Sequence, residues 1–148
     1  MLNRRRNIVT LMVVMTSIFC AAHLYSQEIN AVIRISGVTV GGGSVYVAVF
    51  SNERDFEEDR HFAEFTLDAA GTTISQALAL PAGEYVVSVY QDSNSNGKLD
   101  TAIFGIPKEP FGFTNYSSGI PGNFQKLKIL VNASRTTITV NIGKYKWW

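Results

Sequence analysis

One cysteine and two histidines in 148 residues exclude much of enzyme chemistry before any motif is read. Cys20 cannot form a disulfide within the chain. It also lies in an N-terminal stretch that reads as removable, which leaves the rest with no thiol and no cysteine-based zinc site. His23 lies in that stretch too, so His61 is the one imidazole of the remaining chain, and no Gly-x-Ser-x-Gly elbow accompanies it. Surplus charge is equally scarce. Setting Arg4, Arg5 and Arg6 aside turns 13 basic side chains into 10, against 12 acidic ones. A chain so close to neutral has no electrostatic footprint for DNA or RNA. From Ile29 onward nothing sustains a helical period, and there is no internal repeat. The whole chain, 46% hydrophobic and 17% charged, has the composition of one globular domain.

The N-terminus carries an address. Arg4–Arg6 supply a positive start, residues 8–22 an apolar stretch, and Ser26 a small residue at the expected cut. Residues 1–26 are therefore expected to be a signal peptide, and 27–148 the domain. The apolar stretch is short for a span, so no transmembrane segment is expected in the mature chain. A retained anchor helix and a lipidated Cys20 are the alternatives; Phe19 stands where lipoprotein signals place a small residue. The expected destination is outside the cytoplasm: periplasm, cell surface or medium.

The body alternates with period two. Ile29, Ala31, Ile33 and Ile35 interleave with Asn30, Val32, Arg34 and Ser36, and residues 45–50 are apolar on both faces, as a central strand requires. Further strands are expected at 62–67, 73–80, 85–90, 124–131 and 136–142, with turns at 41–43, 68–71, 81–83 and 132–134. About seven short strands over this length predict a single antiparallel β-sandwich, immunoglobulin-like or transthyretin-like; a partly closed barrel gives the same pattern. If every strand reverses, one end of the sandwich collects the 41–43 and 68–71 turns and the long 92–123 connection. The other collects 51–60, 81–83 and 132–134.

Residues 92–100 carry the one motif. Asp92, Asn94, Asn96 and Asp100 place side-chain oxygens at positions one, three, five and nine, Gly97 sits at six, and the Lys98 carbonyl falls at seven. Alternate residues of a tightly curled loop can point oxygens at one hard cation, so calcium is the candidate cofactor. Two departures weaken it: Ile103 occupies position twelve, where a bidentate Glu belongs, and only Asp92 and Asp100 bring charge. The alternative is a metal-free loop tied by Asx-turns. Asp68 and Glu109 are the supplementary carboxylates that the strand count puts within reach, whereas Glu57, Glu58 and Asp59 belong to the opposite end. That acidic trio reads as a solvated charge cluster, with a cation site as the sharper reading. Downstream, Phe111, Phe113 and Tyr116 form either a binding lip or a cap that folds back on the sandwich. His61 is expected on the surface beside Phe62. Trp147 and Trp148 are expected to pack on the last strand or to contact a membrane or partner.

The run from Tyr85 through 92–100, on to Phe104-Gly105-Ile106-Pro107-Lys108-Glu109-Pro110 and Gly112-Phe113, resembles the signature of a bacterial family known as domain of unknown function 2141. The resemblance covers nearly the whole mature domain. It implies an exported bacterial protein and implies no activity. Pro81-Ala82-Gly83-Glu84-Tyr85 is similar to the turn of transthyretin-like and carboxypeptidase-regulatory-like sandwiches, a likeness of architecture alone. The expected function is a non-catalytic exported binding or structural module whose partner is a glycan, a peptide or an envelope protein. The competing readings are a small envelope hydrolase with its site at 92–116, and an accessory β-domain of a larger secreted assembly.

Overall fold

The computed structural model describes residues 28–145. The expected signal peptide and its expected cut before Gln27, with Cys20, and the Trp147–Trp148 pair lie outside the described residues. In β1 (Glu28–Ser36) the alternation seen in the sequence becomes burial: Ala31, Ile33 and Ile35 are inside, and Asn30, Val32 and Arg34 face out. β1 is the middle of a three-stranded sheet, with β4 (Thr73–Pro81) antiparallel on one edge and β8 (Thr137–Asn141) parallel on the other. The second sheet runs β3 (Ala63–Leu67), β2 (Ser44–Phe50), β5 (Gly83–Asp92), β6 (Phe111–Phe113). β7 (Ile129–Val131) shares the far edge of β5 with β6, each covering a different part of its length.

The sheets meet through their apolar faces. Ile33, Ile35, Ile138 and Val140 of one lie in a single cluster with Val45, Val47, Val49, Val87 and Val89 of the other, each at most 2% exposed. Burying each such side chain stabilises by about 1.5–3 kcal/mol. The all-β sandwich is therefore as expected, and it differs in three places. The β1–β8 pairing is parallel, because the chain enters β8 from the end at which β7 leaves. Phe111-Gly112-Phe113 forms a strand inside the long connection; a Cβ on Gly112 would stand 2.2 Å from the Asn141 carbonyl oxygen, so only glycine lets β6 approach β8. Residues 124–131 are not one strand: Phe124–Leu127 is a helical turn (α2), capped by Asn123, whose side chain accepts from the Lys126 N–H. Phe124 and Leu127, three apart, share its buried side.

The reversals place the loops. Gly41 N–H donates to the Ala69 carbonyl and Val38 N–H to that of Thr72, so the β1–β2 and β3–β4 turns lie together. Ser44 pairs with Asp92, which puts the start of the 92–110 segment at that same end. The other end holds α1 (Glu53–Glu57), the 82 turn and the 132–136 turn. The strand count therefore gave the right ends, except that β6 carries the second half of the long connection, 114–123, across to the opposite end. α1 is an unexpected helical turn in the 51–60 loop, with Asn52 as its cap. Among the described residues no helix is long and apolar enough to cross a membrane.

Candidate functional site

β5 delivers Asp92, 1% exposed, to the end of its sheet. Asp92 Oδ1 accepts from Asn96 N–H (3.2 Å) and Oδ2 from Gly97 N–H (2.7 Å), curling the loop at once. Asn94 Oδ1 accepts from Asn96 N–H and Asn96 Oδ1 from Lys98 N–H, at 3.1 and 3.0 Å, which are Asx-turns. Both asparagine amides then donate to Asp100 Oδ2. Ser95 at φ 59° and Gly97 at φ 78° supply the left-handed turns. Glu109 closes the neck, with Oε1 accepting from Ser93 N–H (2.7 Å) and Oε2 from Asp100 N–H (3.1 Å). Glu109 thus arrives where the strand count put it. Asp68 stands exposed on its turn and takes no part in these bonds among the described residues.

The donor set decides how well this loop fits a cation. Asp92, Asp100 and Glu109 already accept N–H groups, and the asparagines aim NH2 groups, not oxygens, at Asp100. Calcium needs six to eight oxygens, so both amides would have to turn over and give up their own turn bonds. The arrangement fits the metal-free alternative. Among the described residues no three His, Cys, Asp or Glu side chains are gathered to hold a metal.

Phe111, Phe113 and Tyr116 fold back on one another, with Phe111 and Tyr116 also lining a cavity of about 520 Å³. Phe111 is 3% exposed, and its ring lies 6.2 Å from Phe113 and 5.5 Å from Tyr116. Phe113 and Tyr116 pack on a second cluster made by Phe50, Val86, Phe124 and Leu127 on the outer face of the five-stranded sheet. Phe56 of α1 joins it edge-on to Phe50 at 5.1 Å. Rings that share their apolar surface in this way are a cap, the other reading of that stretch.

The cap covers only part of the outer face. The rest opens into a groove of about 610 Å³. Its floor is Tyr46 and Ala48 from β2 with Ser88 and Tyr90 from β5. Tyr46 and Tyr90 are direct cross-strand partners, and their rings stack at 5.0 Å and 10°. Burial raises the Tyr90 hydroxyl above its ordinary pKa, helped by Tyr46, Asp92 and Glu109 nearby. Gly97, Lys98 and Leu99 wall one side. His61, Asp59 and Glu64 wall another. His61 Nδ1 lies 2.9 Å from Glu64 Oε2 and Nε2 lies 3.2 Å from Asp59 Oδ1, and only the imidazolium donates at both nitrogens. The Glu64 bond raises its pKa most, burial opposes this, and Asp59 adds to it. The ring also meets Phe50 edge-on at 5.2 Å.

The acidic trio is divided. Glu58 pairs with Arg54 and Arg60, and Asp59 turns to His61. Every hydrogen bond of Asp92 described above stays within its own loop, and among the described residues no metal-holding cluster joins it to the trio. Sequence reasoning passed over Tyr46 and Tyr90 and set His61 aside. The available signal was two tyrosines at outward-facing positions of largely apolar strands.

Comparison with known proteins adds one finding. A family model described as an uncharacterized protein conserved in bacteria, DUF2141, matches residues 33–139, from the middle of β1 into β8, and so takes in the groove and the 92–100 loop. No curated protein and no solved structure matches the chain.

Proposed function

We propose, for a chain that belongs to the DUF2141 family of uncharacterised bacterial proteins, that it works as an exported, non-catalytic binding module whose ligand seats on Tyr46 and Tyr90. The observation that carries this reading is the open half of one sheet face. A half-buried stacked aromatic pair faces an open groove between a loop wall and a charged wall, while the same face is covered by rings a few residues further along. Concave sites with aromatic floors and a few polar groups are what small-ligand binding uses. Export rests on the composition of residues 1–26. Binding rather than catalysis is supported by how the acids are employed. A hydrolase at 92–116 would need Asp92, Asp100 or Glu109 as its base, and each already holds its loop together. In this reading the 92–100 loop walls the groove without calcium.

Binding of the purified protein to glycan and peptide arrays tests the proposal, with Tyr46→Ala and Tyr90→Ala as controls. Loss of the captured ligand in both variants, with circular dichroism unchanged, is the expected result. Turnover of an ester or glycoside panel that disappears in Asp92→Ala would replace the binding module with the hydrolase.

A further inference from the structure

Resting on that reading, we infer that the groove takes an uncharged saccharide. The first argument is charge. The charged residues that line the groove are Asp59, His61, Glu64 and Lys98. With His61 as the imidazolium that its two carboxylate partners require, two positive groups stand against two negative ones. A groove whose charges cancel does not concentrate ions of either sign.

The second argument is hydrogen-bonding capacity. The hydroxyls of Tyr46, Ser88 and Tyr90 make no hydrogen bond to another described residue, and none of them is a buried orphan. Each hydroxyl can donate and accept, and they share one floor. The ligand that matches such a floor carries hydroxyls on one side and C–H surface for the tyrosine rings, which is the chemistry of a sugar ring.

The third argument sets aside a peptide added as a strand on the groove floor. Strand addition needs free backbone N–H and C=O groups at a sheet edge. The floor strands have none to offer: β2 is paired with β3 and β5, and β5 with β2 on one side and with β6 and β7 on the other.

Amide chemical shifts of the purified protein, followed at Tyr46, Ser88 and Lys98, read the groove directly. The neutral probes are hexasaccharides of β-1,4-linked glucose, β-1,4-linked N-acetylglucosamine and α-1,4-linked glucose. The charged probes are hexamers of galacturonate and glucosamine, and a mixed peptide pool completes the set. At least one neutral hexamer should move all three amides, with an affinity that stays constant up to about 0.5 M salt. Tyr46→Ala should weaken that affinity by about tenfold or more, and Tyr46→Phe, which keeps the ring, by roughly threefold. Shifts with charged hexamers alone, or an affinity that falls with salt, overturn the uncharged ligand. Shifts with peptides alone overturn the saccharide and leave the groove standing as the binding site. Saccharide binding that leaves these three amides still removes the groove reading itself.

Discussion

The two halves of the outer face of the five-stranded sheet are built by the same strands, β2 and β5, and end in opposite states. Toward the α1 end, Phe50 and Val86 lie under Phe56, Phe113, Phe124 and Leu127. Toward the 92–100 loop, Tyr46, Ser88 and Tyr90 are half-buried on the floor of an open groove. The difference follows from chemistry at alternate positions of one strand. Phe50 has only apolar surface to hide and gathers rings from two helical turns. Tyr46, four residues earlier, carries a hydroxyl that water or a ligand must satisfy, so sealing it would leave a polar group buried. A face can therefore be closed at one end and presented at the other without any change of fold.

The sharpest way to test that contrast is to cut one residue from each half. Phe124 is 4% exposed at the centre of the cap, so Phe124→Ala should cost about 3 kcal/mol, the lower edge of what buried phenylalanines lose, because the cluster is peripheral. Tyr90→Ala removes one stacking partner from an open floor and should cost about 1 kcal/mol. Urea unfolding of both variants measures this. Equal losses would mean that the groove is structural rather than presented.

The wall of the open half depends on Glu109. Glu109→Ala leaves the Ser93 and Asp100 N–H groups without their carboxylate and should cost about 2 kcal/mol. The loss should be local. Amide exchange at Ser93 and Asp100 should accelerate, while Val47 and Val89 in the core change only as far as global stability does. If all four amides accelerate together, the loop is part of the core and not a separately tied wall.

His61 gives a smaller effect with a definite sign. Its folded pKa is raised above 6.5, so its pairing with Glu64 and Asp59 stabilises fully below that value and is lost as pH climbs through the raised one. Asp59 and Glu64 are exposed, so solvent screening holds the contribution to roughly a few tenths of a kcal/mol. The melting gap between the wild type and His61→Gln should be present near pH 5.5 and absent near pH 9, on either side of the ordinary histidine range. A gap of the same size at both would show that the ring acts through Phe50 and not through charge.

How much of this was legible in the sequence depends on the range of the interaction. Alternation in 29–35 and 73–80 and the apolar runs at 45–50 and 85–90 are local and mark the strands. Counting reversals then brought Glu109 to the loop and kept the acidic trio away from Asp92, because strand direction survives without side-chain detail. The helical turn at Phe124–Leu127 was missed because an apolar spacing of three over four residues does not stand out beside a strand; Asn123 in front of it was the overlooked cap. The parallel β8 and the Tyr46–Tyr90 stack are matters of register between distant segments, which periodicity does not encode. The aromatic-rich run at 111–116 drew the site prediction because it was dense, and its density is the reason that it seals itself.

The smallest expected effect is none at all, and it separates the two walls of the groove by what holds them. The 92–100 loop has the spacing of a calcium loop, yet its bonds form a complete set among its own atoms and Glu109. Binding calcium would exchange the amide donors of Asn94 and Asn96 for their oxygens and break the bonds those oxygens accept from Asn96 and Lys98 N–H. With only Asp92 and Asp100 inside the loop to favour the cation, that exchange has little to drive it. Melting curves in millimolar calcium and in chelator should superimpose. The measurement is sensitive: calcium at a concentration equal to its dissociation constant would stabilise by about 0.4 kcal/mol and raise the melting point by about 1–2 °C. A shift of that size, abolished by Asp100→Asn, would mean that the asparagines do turn over and that the wall of the groove is set by a cation rather than by its own hydrogen bonds.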